Sequence, residues 1–405
     1  MSLDEDLISL NDIGLTNPVE EMVLITDEPK IPGYFCFLKK DIEDSLKIND
    51  IFGQGFDTNR TKAKIKSLGE CLERFCLEKH FGNNLTVRKY DFQPGFLDPV
   101  LFCCYSEEQI EDRVSFIERV RKEKYIWWPV KDLNEKTIMI PAQLVFLSSE
   151  FNEEFPIRQE RISTGAALGP SDNNRAFAAG VLEVVERDAC ISAYLTKRRI
   201  RKIVNLPDEI KRLVEYFQRY QLEPNIFDVT TDLKIPSVLV ITIDDTGIGP
   251  AINTGSRSSL NYSRAIKDAL LESIQSRRAS RIKRKQNSEI ERIQSIEDRF
   301  LFWSDKKKIL DLNFWLNSSD KIDFDELNKQ KIDFEDALAI LQSKGYHIFT
   351  ADITIPIIRD KGYKALKVII PELHPLYLNE DAKALYSVHH GSIKEDKFLK
   401  PHPFM

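Results

Sequence analysis

The chain has 405 residues, of which 42% are hydrophobic and 30% are charged, and its formal net charge is −6. This length and apolar content predict a globular protein built as one elaborate domain or as two to three lobes. The negative net charge argues against nonspecific nucleic-acid binding, which needs a basic surface. No apolar run approaches the ~18 residues that span a membrane. Because the amino terminus is acidic and lacks the pattern of a signal peptide, we expect a cytoplasmic protein.

Taken in chain order, hydrophobic periodicity and turn residues predict strands and long helices. Residues 1–50 alternate short apolar runs with turns, which predicts a strand-rich segment. A helix is predicted over 58–80, directly after Gly53-Gln54-Gly55, whose backbone amides would either lie near a phosphate or form a simple turn. Further strands are predicted at 127–130, 138–147, 225–229, 235–243, 348–355 and 365–370, and helices at 260–285 and in the charged segment 286–345. This order predicts an α/β (α+β) fold of mixed sheets and long helices.

Two further segments are predicted to lack regular structure. Ser163–Gly169 is a run of small residues that leads into a helix. Small residues let a ligand approach the backbone closely, and they suit a tight junction between a loop and a helix equally well. The chain ends in Pro401-His402-Pro403-Phe404-Met405, where the prolines exclude a helix and favour an extended tail. Such a tail is either disordered or docked into a site.

One acidic pattern, E-x-x-E-R, occurs twice in segments with helical periodicity, at Glu70–Arg74 and at Glu183–Arg187. On a helix, residues three apart face the same way, so each segment directs two carboxylates to one spot. A looser copy, Glu272–Arg277, has Gln275 in place of the second acid. If the helices converge, four or five carboxylates crowd together and need cations. Magnesium suits such oxygen ligands and usually binds through a few carboxylates and nucleotide phosphates.

The competing interpretation of this pattern is a solvated helix face with weak ion pairs. Against it stand the apolar stripes that flank the acids. The first helix carries Leu68, Leu72 and Phe75, and the second carries Val181, Leu182, Val185 and Ala189. Both helices are therefore expected to pack against a core, which places the acids at the edge of a buried surface.

The cysteines and histidines predict no further metal site. The six cysteines do not form two separated C-x-x-C pairs, so a structural zinc site is not expected. His389 and His390 are adjacent, and adjacent side chains on a strand or a helix do not converge on one metal.

These segments together resemble the YcaO family, over roughly residues 50–405. Gly53-Gln54-Gly55 followed by Ser67–Arg74 resembles the first family motif. Ser163–Gly169 together with Glu183–Ala189 resembles the second, and Ala269–Arg277 resembles the third. Ile370–Leu376 is similar to the late strand and loop of the family. Four motifs in the family's order make the resemblance specific.

The resemblance implies a YcaO-like domain at 51–405, which includes the segment 286–345 and the proline-containing tail, and cofactors ATP and Mg²⁺. Metal ligands carried over from the family are Glu70, Glu73, Glu183, Glu186 and Glu272. Residues implied to contact the nucleotide are Ser67, Glu70, Arg74, Ser163, Gln275 and Arg277. Residues implied to act in catalysis are Arg187, Arg277, Pro403 and Met405. The chain departs from the family pattern at Gln54, where Lys is frequent, and at Lys66, where a small residue is usual.

The activity implied by the resemblance is ATP-dependent activation of a peptide backbone amide. A neighbouring Cys, Ser or Thr as nucleophile would give an azoline, and external sulfide would give a thioamide. The near-match of the tail to the proline-rich end of azoline-forming members favours cyclodehydration of a ribosomally made precursor peptide. A separate protein would then present the peptide, or deliver sulfur in the thioamide case, and a homodimer is plausible. A non-catalytic scaffold subunit is the remaining alternative, supported by Gln54 and Lys66.

Overall fold

The computed structural model describes residues 3–48, 50–79, 85–148, 151, 157, 162–283, 290, 292–329 and 331–404. Met405, which the family resemblance assigns to catalysis, lies outside the described residues. Among the helices within these ranges, none combines the length and apolarity needed to cross a membrane.

The helices begin and end close to the predicted positions where hydrophobic periodicity is long. The predicted helix at 58–80 is observed at Arg60–Glu78, and the one at 260–285 is observed at Tyr262–Lys283. The helices are α1 (Leu3–Asn11), α2 (Lys40–Leu46), α3 (Arg60–Glu78), α4 (Arg113–Lys122), α5 (Arg175–Leu195), α6 (Asp208–Gln218), α7 (Tyr262–Lys283), α8 (Ile296–Trp303), α9 (Asn313–Leu316), α10 (Phe324–Asn328), α11 (Phe334–Ser343) and α12 (Pro356–Asp360).

The strands form mixed sheets, as predicted. They are β1 (Glu20–Glu21), β2 (Gly33–Phe37), β3 (Phe52–Phe56), β4 (Thr86–Lys89), β5 (Lys124–Lys131), β6 (Thr137–Pro141), β7 (Ala166–Pro170), β8 (Arg201–Val204), β9 (Glu223–Asp228), β10 (Ser237–Ile243), β11 (Ile252–Ser258), β12 (Lys321–Asp323), β13 (Phe349–Asp352), β14 (Tyr363–Ile369), β15 (Tyr386–Ser387) and β16 (Gly391–Ser392).

The chain divides into two compact units. The first contains Met1–Leu24, Lys30–Val184 and His347–Glu372, and the second contains Ile25–Pro29, Val185–Tyr346 and Leu373–Met405. Helix α5 therefore contributes its first part to one unit and its second part to the other.

The first unit contains two sheets, with strand orders β1-β2-β3 and β4-β5-β13-β14-β7, and β6 pairs with β5. All of these pairings are antiparallel. The predicted stripe of α3 is confirmed, since Leu68, Leu72 and Phe75 are buried in the core of this unit. Trp127 on β5 is also buried there, as expected of a core aromatic residue.

The second unit is built on the sheet β11-β10-β9-β8-β12. It also contains the separate hairpin β15–β16, in the last part of the chain. Its pairings are antiparallel except for β8 with β12. The strand Ser237–Ile243 is a nearly continuous buried run, which fits a central strand covered on both faces. Trp303 and Trp315 are buried in this unit.

At the start of each acid-bearing helix, the side-chain oxygen of an asparagine one or two residues before the helix accepts a hydrogen bond from a backbone N–H of the first turn. Asn59 accepts from Lys62, Asn173 from Arg175 and Asn261 from Arg264, at 3.0, 3.0 and 3.1 Å respectively. These caps satisfy donors that the helix itself leaves unpaired.

Several local predictions differ from the structure. Residues 166–169, part of the small-residue run Ser163–Gly169 predicted to lack regular structure, lie in strand β7 because this strand pairs with Tyr363–Lys367 of β14. The strand predicted over 138–147 ends at Pro141, and a short 3₁₀ turn follows. Residues 1–50, predicted to be strand-rich, contain helices α1 and α2 besides β1 and β2.

His389 and His390 lie close together, although adjacent side chains on a regular strand or helix would not converge. They lie in the turn between β15 and β16, where the alternation of a regular strand does not apply. Their ring centroids are 4.0 Å apart, and both rings contact the carboxylate of Asp188.

The same close contact between a strand and a helix is found once in each unit. A Cβ atom on Gly55 would lie 2.5 Å from the backbone nitrogen of Ser67, and one on Gly255 would lie 2.5 Å from that of Ser273. Only glycine permits this approach of β3 to α3 and of β11 to α7. Helices α3 and α7 are thus each held directly against a strand, and this contact determines where their carboxylates point.

Candidate functional site: two clusters of buried carboxylates

In the first unit, Glu70 of α3 is held by β3 and by its own helix. Its Oε2 atom accepts a hydrogen bond from the backbone N–H of Gln54 at 2.5 Å. Its Oε1 atom lies 2.6 Å from Nη2 of Arg74, one turn later. Arg74 in turn donates to the carbonyl of Phe52 at 2.9 Å. The amide of the Gly53-Gln54-Gly55 segment therefore binds a protein carboxylate.

Glu183, on the part of α5 that belongs to the first unit, is held in a similar way. Its Oε2 atom accepts a hydrogen bond from the N–H of Gly165 at 2.9 Å. Gly165 has φ +86°, and a Cβ atom there would lie 2.2 Å from the carbonyl oxygen of Val368. A side chain at this position would separate β7 from β14, so glycine is required for the amide to reach the carboxylate.

The carboxylates of this unit are close enough to affect one another. Burial raises the pKa of Glu70, and the charge of Glu183 adds to the effect while Arg74 opposes it. The pKa of Glu73 is raised well above its ordinary value, first by burial and then by the charges of Glu183 and Glu70. The predicted convergence of acids is thus observed for Glu70, Glu73 and Glu183.

In the second unit, Glu186 of α5 is almost completely buried, with 2% of its surface exposed. Its Oε1 atom accepts from the Ser256 hydroxyl at 2.7 Å, and its Oε2 atom accepts from the N–H of Ser258 at 3.2 Å. The N–H of Ser256 donates to Oε2 of Glu272 at 3.0 Å. Strand β11 therefore binds two acids that come from two different helices.

In this second pair of acids, burial and charge repulsion also disfavour an ionised carboxylate. Burial raises the pKa of Glu272 to about 7, with a further contribution from the charge of Glu186, and the cations of Arg187 and Arg257 oppose the shift. The pKa of the Cys190 thiol is raised as well, by burial and then by the charge of Glu186. At neutral pH these groups favour either a proton or an added cation.

The three predicted arginines occupy different environments. Arg74 pairs with Glu70 beside the acids of the first unit. Arg187 lies 3.5 Å from Oε1 of Glu186, and 13% of its side chain is exposed. Arg277 is 1% exposed, and its guanidinium contacts Asp244 at 2.7 Å and Glu28 at 3.3 Å.

Arg277 also donates to the carbonyl of Pro250 at 2.9 Å. The guanidinium is thus enclosed by these protein groups, an arrangement that argues against the predicted contact with phosphate.

The other residues predicted to contact the nucleotide, Ser67, Ser163 and Gln275, also have different surroundings. Ser67 is buried and its hydroxyl donates to the carbonyl of Lys64 at 2.9 Å, so it stabilises α3. Ser163 lies next to the Gly165 turn, where its carbonyl accepts from Ala166 at 2.9 Å. Gln275 lies half-buried on α7, one turn after Glu272.

The third copy of the acidic pattern is not equivalent to the first. The Cβ atom that Gly55 lacks would meet Lys66, and the one that Gly255 lacks would meet Glu272, each at 2.9 Å. Glu272 thus occupies the place that Lys66 has in the first unit. Lys66 itself is paired with Asp57 at 3.0 Å.

The carboxyl-terminal tail is docked in the second unit. The carbonyl of Pro403 accepts a hydrogen bond from the hydroxyl of Thr254 at 2.6 Å. Thr254 lies two residues before Ser256 on β11, so both side chains are on one face of the strand. Pro403 therefore lies beside the residues that bind Glu186 and Glu272.

Buried groups also hold His402 of the tail in place. Arg299 and Trp303 donate to the carbonyl of His402, the latter at 3.3 Å. His402 donates from Nε2 to the carbonyl of Tyr377 at 2.6 Å and accepts at Nδ1 from its own segment at 3.3 Å. Burial and the Arg299 cation lower the pKa of His402 well below its usual value, so the ring remains neutral.

Sequence reasoning missed Thr254, Ser256, Ser258 and Arg299. A signal for the three hydroxyl residues was present in the sequence, because they occur at every second position of the segment 254–258, which also contains Gly255. Arg299 carried no signal, because the tail that it binds is about a hundred residues away along the chain.

The chemistry of the two clusters fits magnesium and a nucleotide. The ligand atoms are carboxylate oxygens, which Mg²⁺ prefers. Burial, followed by the charges of neighbouring carboxylates, raises the pKa values of Glu70, Glu73 and Glu272, and a bound cation would oppose these shifts.

A family model described as YcaO cyclodehydratase, ATP- and Mg²⁺-binding, matches residues 53–374, which is most of the chain. Comparison with curated protein sequences gave no match.

Three solved structures share the fold. One, described as a heterocyclase in complex with substrate and cofactor, has a TM-score of 0.70 and 18% identity, over 92% of this chain and 52% of that chain. The structure of YcaO from Methanopyrus kandleri bound with AMPPCP and Mg²⁺ has a TM-score of 0.65 and 14% identity, over 92% of both chains. A chain of the E. coli microcin synthetase McbBCD complex has a TM-score of 0.65 and 14% identity, over 88% of both chains. This chain spans about half the length of the heterocyclase, and at these identities the likeness establishes the fold.

Proposed function

Because this chain belongs to the YcaO family, with ATP and Mg²⁺ as cofactors, we propose that it activates peptide backbone amides and converts Cys, Ser or Thr residues of a precursor peptide into azolines. ATP supplies the phosphoryl group that turns the amide oxygen into a leaving group, and Mg²⁺ neutralises phosphate charge. A separate protein presents the peptide. The single observation that carries the azoline assignment is the docking of the tail at Thr254, beside the acids of the second unit.

The protein's own residues have distinct roles in this proposal. Glu70, Glu73 and Glu183 in the first unit, and Glu186 and Glu272 in the second, hold Mg²⁺, with Gln275 as a neutral neighbour of Glu272. The backbone amides of Gln54, Gly165 and Ser256 orient these carboxylates by binding one oxygen of a glutamate each. Arg74 and Arg187, which lie next to the acids, are the candidates for phosphate contact.

The tail positions the reacting groups. The neutral His402 ring and the Arg299 cation fix the backbone from which Pro403 projects. A rigid tail at this place excludes water and orients the nucleophilic side chain of the peptide against its own amide.

The two departures that supported a scaffold subunit are compatible with a catalytic site. At position 54 the backbone N–H binds Glu70, so the identity of the side chain is not critical for that contact. Lys66 is neutralised by Asp57. Both observations support the enzyme over the scaffold.

Nucleotide binding is tested by calorimetric titration of ATP, with and without Mg²⁺, into the wild type and into Glu73→Gln and Glu186→Gln. Glu215→Gln is the matched control, because Glu215 is exposed on α6. We expect Mg²⁺-dependent binding that both cluster variants lose and the control keeps. Retained binding and turnover in both cluster variants would overturn the magnesium assignment.

The product is tested by the intact mass of a precursor peptide co-expressed with this chain and its presenting protein. Loss of one water per modified residue is the expected result. Exchange of oxygen for sulfur would instead establish the thioamide alternative, and an unchanged mass without ATP turnover would establish a scaffold.

A further inference from the structure

Asp188, His389 and His390 form a cluster that the proposed function does not use. All three belong to the second unit, where Asp188 is on α5 and the histidines are in the turn of the β15–β16 hairpin. The Asp188 carboxylate is completely buried and the His389 side chain is 4% exposed. From this cluster we infer that the protein has a binding site for one Zn²⁺ ion, with Asp188, His389 and His390 as ligands.

The distances between the ligand atoms fit a small tetrahedral ion. Oδ2 of Asp188 lies 2.8 Å from Nδ1 of His389 and 3.1 Å from Nε2 of His390. One atom from each residue lies within 4.8 Å of the other two. Ligands at Zn²⁺ distances of about 2.0–2.1 Å are separated by roughly 3.3 Å in a tetrahedron. Small rotations of the rings would therefore admit the ion.

The groups around the ligands have the arrangement that metal sites use. The second nitrogen of His389, Nε2, lies 2.7 Å from Oδ1 of Asp232. A ligand histidine usually donates its other N–H to a carboxylate, which fixes the ring and its tautomer. Asp232 is held in turn by Lys344. The other oxygen of Asp188 accepts from the N–H of His374 at 2.7 Å, so this carboxylate is also oriented.

The donor set favours zinc over magnesium. Two imidazole nitrogens and one carboxylate oxygen suit borderline ions such as Zn²⁺, whereas Mg²⁺ prefers oxygen ligands alone. Three protein ligands leave the fourth tetrahedral position for water. Bound Zn²⁺ would tie the β15–β16 hairpin to α5, two residues after Glu186.

The alternative is an ion-pair network in which the imidazoles are protonated and no metal binds. The test uses the full-length protein freed of metal with a chelator, then titrated with Zn²⁺ alone against a chromophoric competitor. We expect one Zn²⁺ per chain, and visible absorption bands when Co²⁺ replaces it. Mg²⁺ in excess should not displace it.

Variants separate the site from adventitious binding. His390→Gln removes a ligand from a surface turn and should abolish stoichiometric binding. Asp232→Asn changes only the outer partner and should weaken binding by about 10–100-fold. His347→Gln is the matched control, since His347 also pairs with a carboxylate, Glu372 at 2.7 Å.

Failure to bind Zn²⁺ stoichiometrically, or an equal loss in the His347 control, would overturn the proposal in favour of the ion-pair network. Zn²⁺ binding that survives in Glu186→Gln would show that this site and the nucleotide site are independent, so that either proposal can fail alone.

Discussion

Replacing Glu272 with glutamine should stabilise the metal-free protein while abolishing Mg²⁺-dependent ATP binding. Glu272 accepts the N–H of Ser256 and lies near the charge of Glu186. The amide of glutamine keeps an oxygen that can accept this hydrogen bond, and it removes the charge. The substitution therefore isolates the cost of holding an ionised carboxylate in this place.

The magnitude follows from the pKa of Glu272, which is about 7 against an ordinary value of 4.5. This difference is equivalent to about 3 kcal/mol. Above pH 4.5 the unfolded chain releases this proton while the folded protein keeps it up to about pH 7. The folded state is thus destabilised progressively as the pH rises through this interval. Glu272→Gln should match the wild type near pH 4.5 and exceed it by about 3 kcal/mol at pH 8.

The assay is urea unfolding of the metal-free proteins at pH 5 and pH 8, with the free energy of unfolding compared between variant and wild type. Glu215→Gln, on the exposed face of α6, is the control in the same assay. Addition of Mg²⁺ and ATP should stabilise the wild type and leave Glu272→Gln unchanged. A variant that is less stable than the wild type at pH 8, or equally affected at both pH values, would refute the reasoning.

Four further substitutions test the packing, the tail and the buried ion pairs. Gly55→Ala should destabilise the protein by about 1–3 kcal/mol because its Cβ atom would collide with α3. Gly69→Ala, which has open space around it, should instead stabilise α3 by about 0.5–1 kcal/mol. Thermal unfolding of the two variants and the wild type measures both effects. Thr254→Val removes the hydrogen bond to Pro403, and we expect turnover to fall about tenfold with ATP affinity unchanged; an unaltered rate would contradict the role of the tail. Arg277→Met leaves the buried Asp244 carboxylate without its ion-pair partner and removes one of the three arginines that pair with Glu28, which should cost about 3–5 kcal/mol. Weaker ATP binding by the folded variant would restore the phosphate role that the burial of Arg277 argues against.

Much of the acidic site could be predicted from local patterns. Helical spacing identifies the residues that share a face, and the apolar stripe of Leu68, Leu72 and Phe75 identifies the face that is buried. These two properties depend only on neighbours within a few turns. They sufficed to predict that Glu70 and Glu73 lie at the edge of a core.

Local reasoning could not predict the surroundings of Glu272 and Arg277. Their spacing resembles the first acidic motif, but the contact of Gly255 with α7 places Glu272 where the first unit has Lys66. Arg277 has the spacing of a phosphate ligand, and yet Asp244 and Glu28 enclose it. Helical spacing specifies which residues share a face of the helix, but it does not specify which groups of the protein pack against that face.

The sequence by itself determined the acidic helices, their buried faces and the family, because periodicity and motif order act over short distances along the chain. The tertiary structure alone decided which group meets each functional side chain. The Pro403 carbonyl meets Thr254 across 149 residues, and His389 meets Asp188 across 201. Contacts between such distant segments depend on how strands and helices pack, and a strand such as β7 exists only because β14 pairs with it.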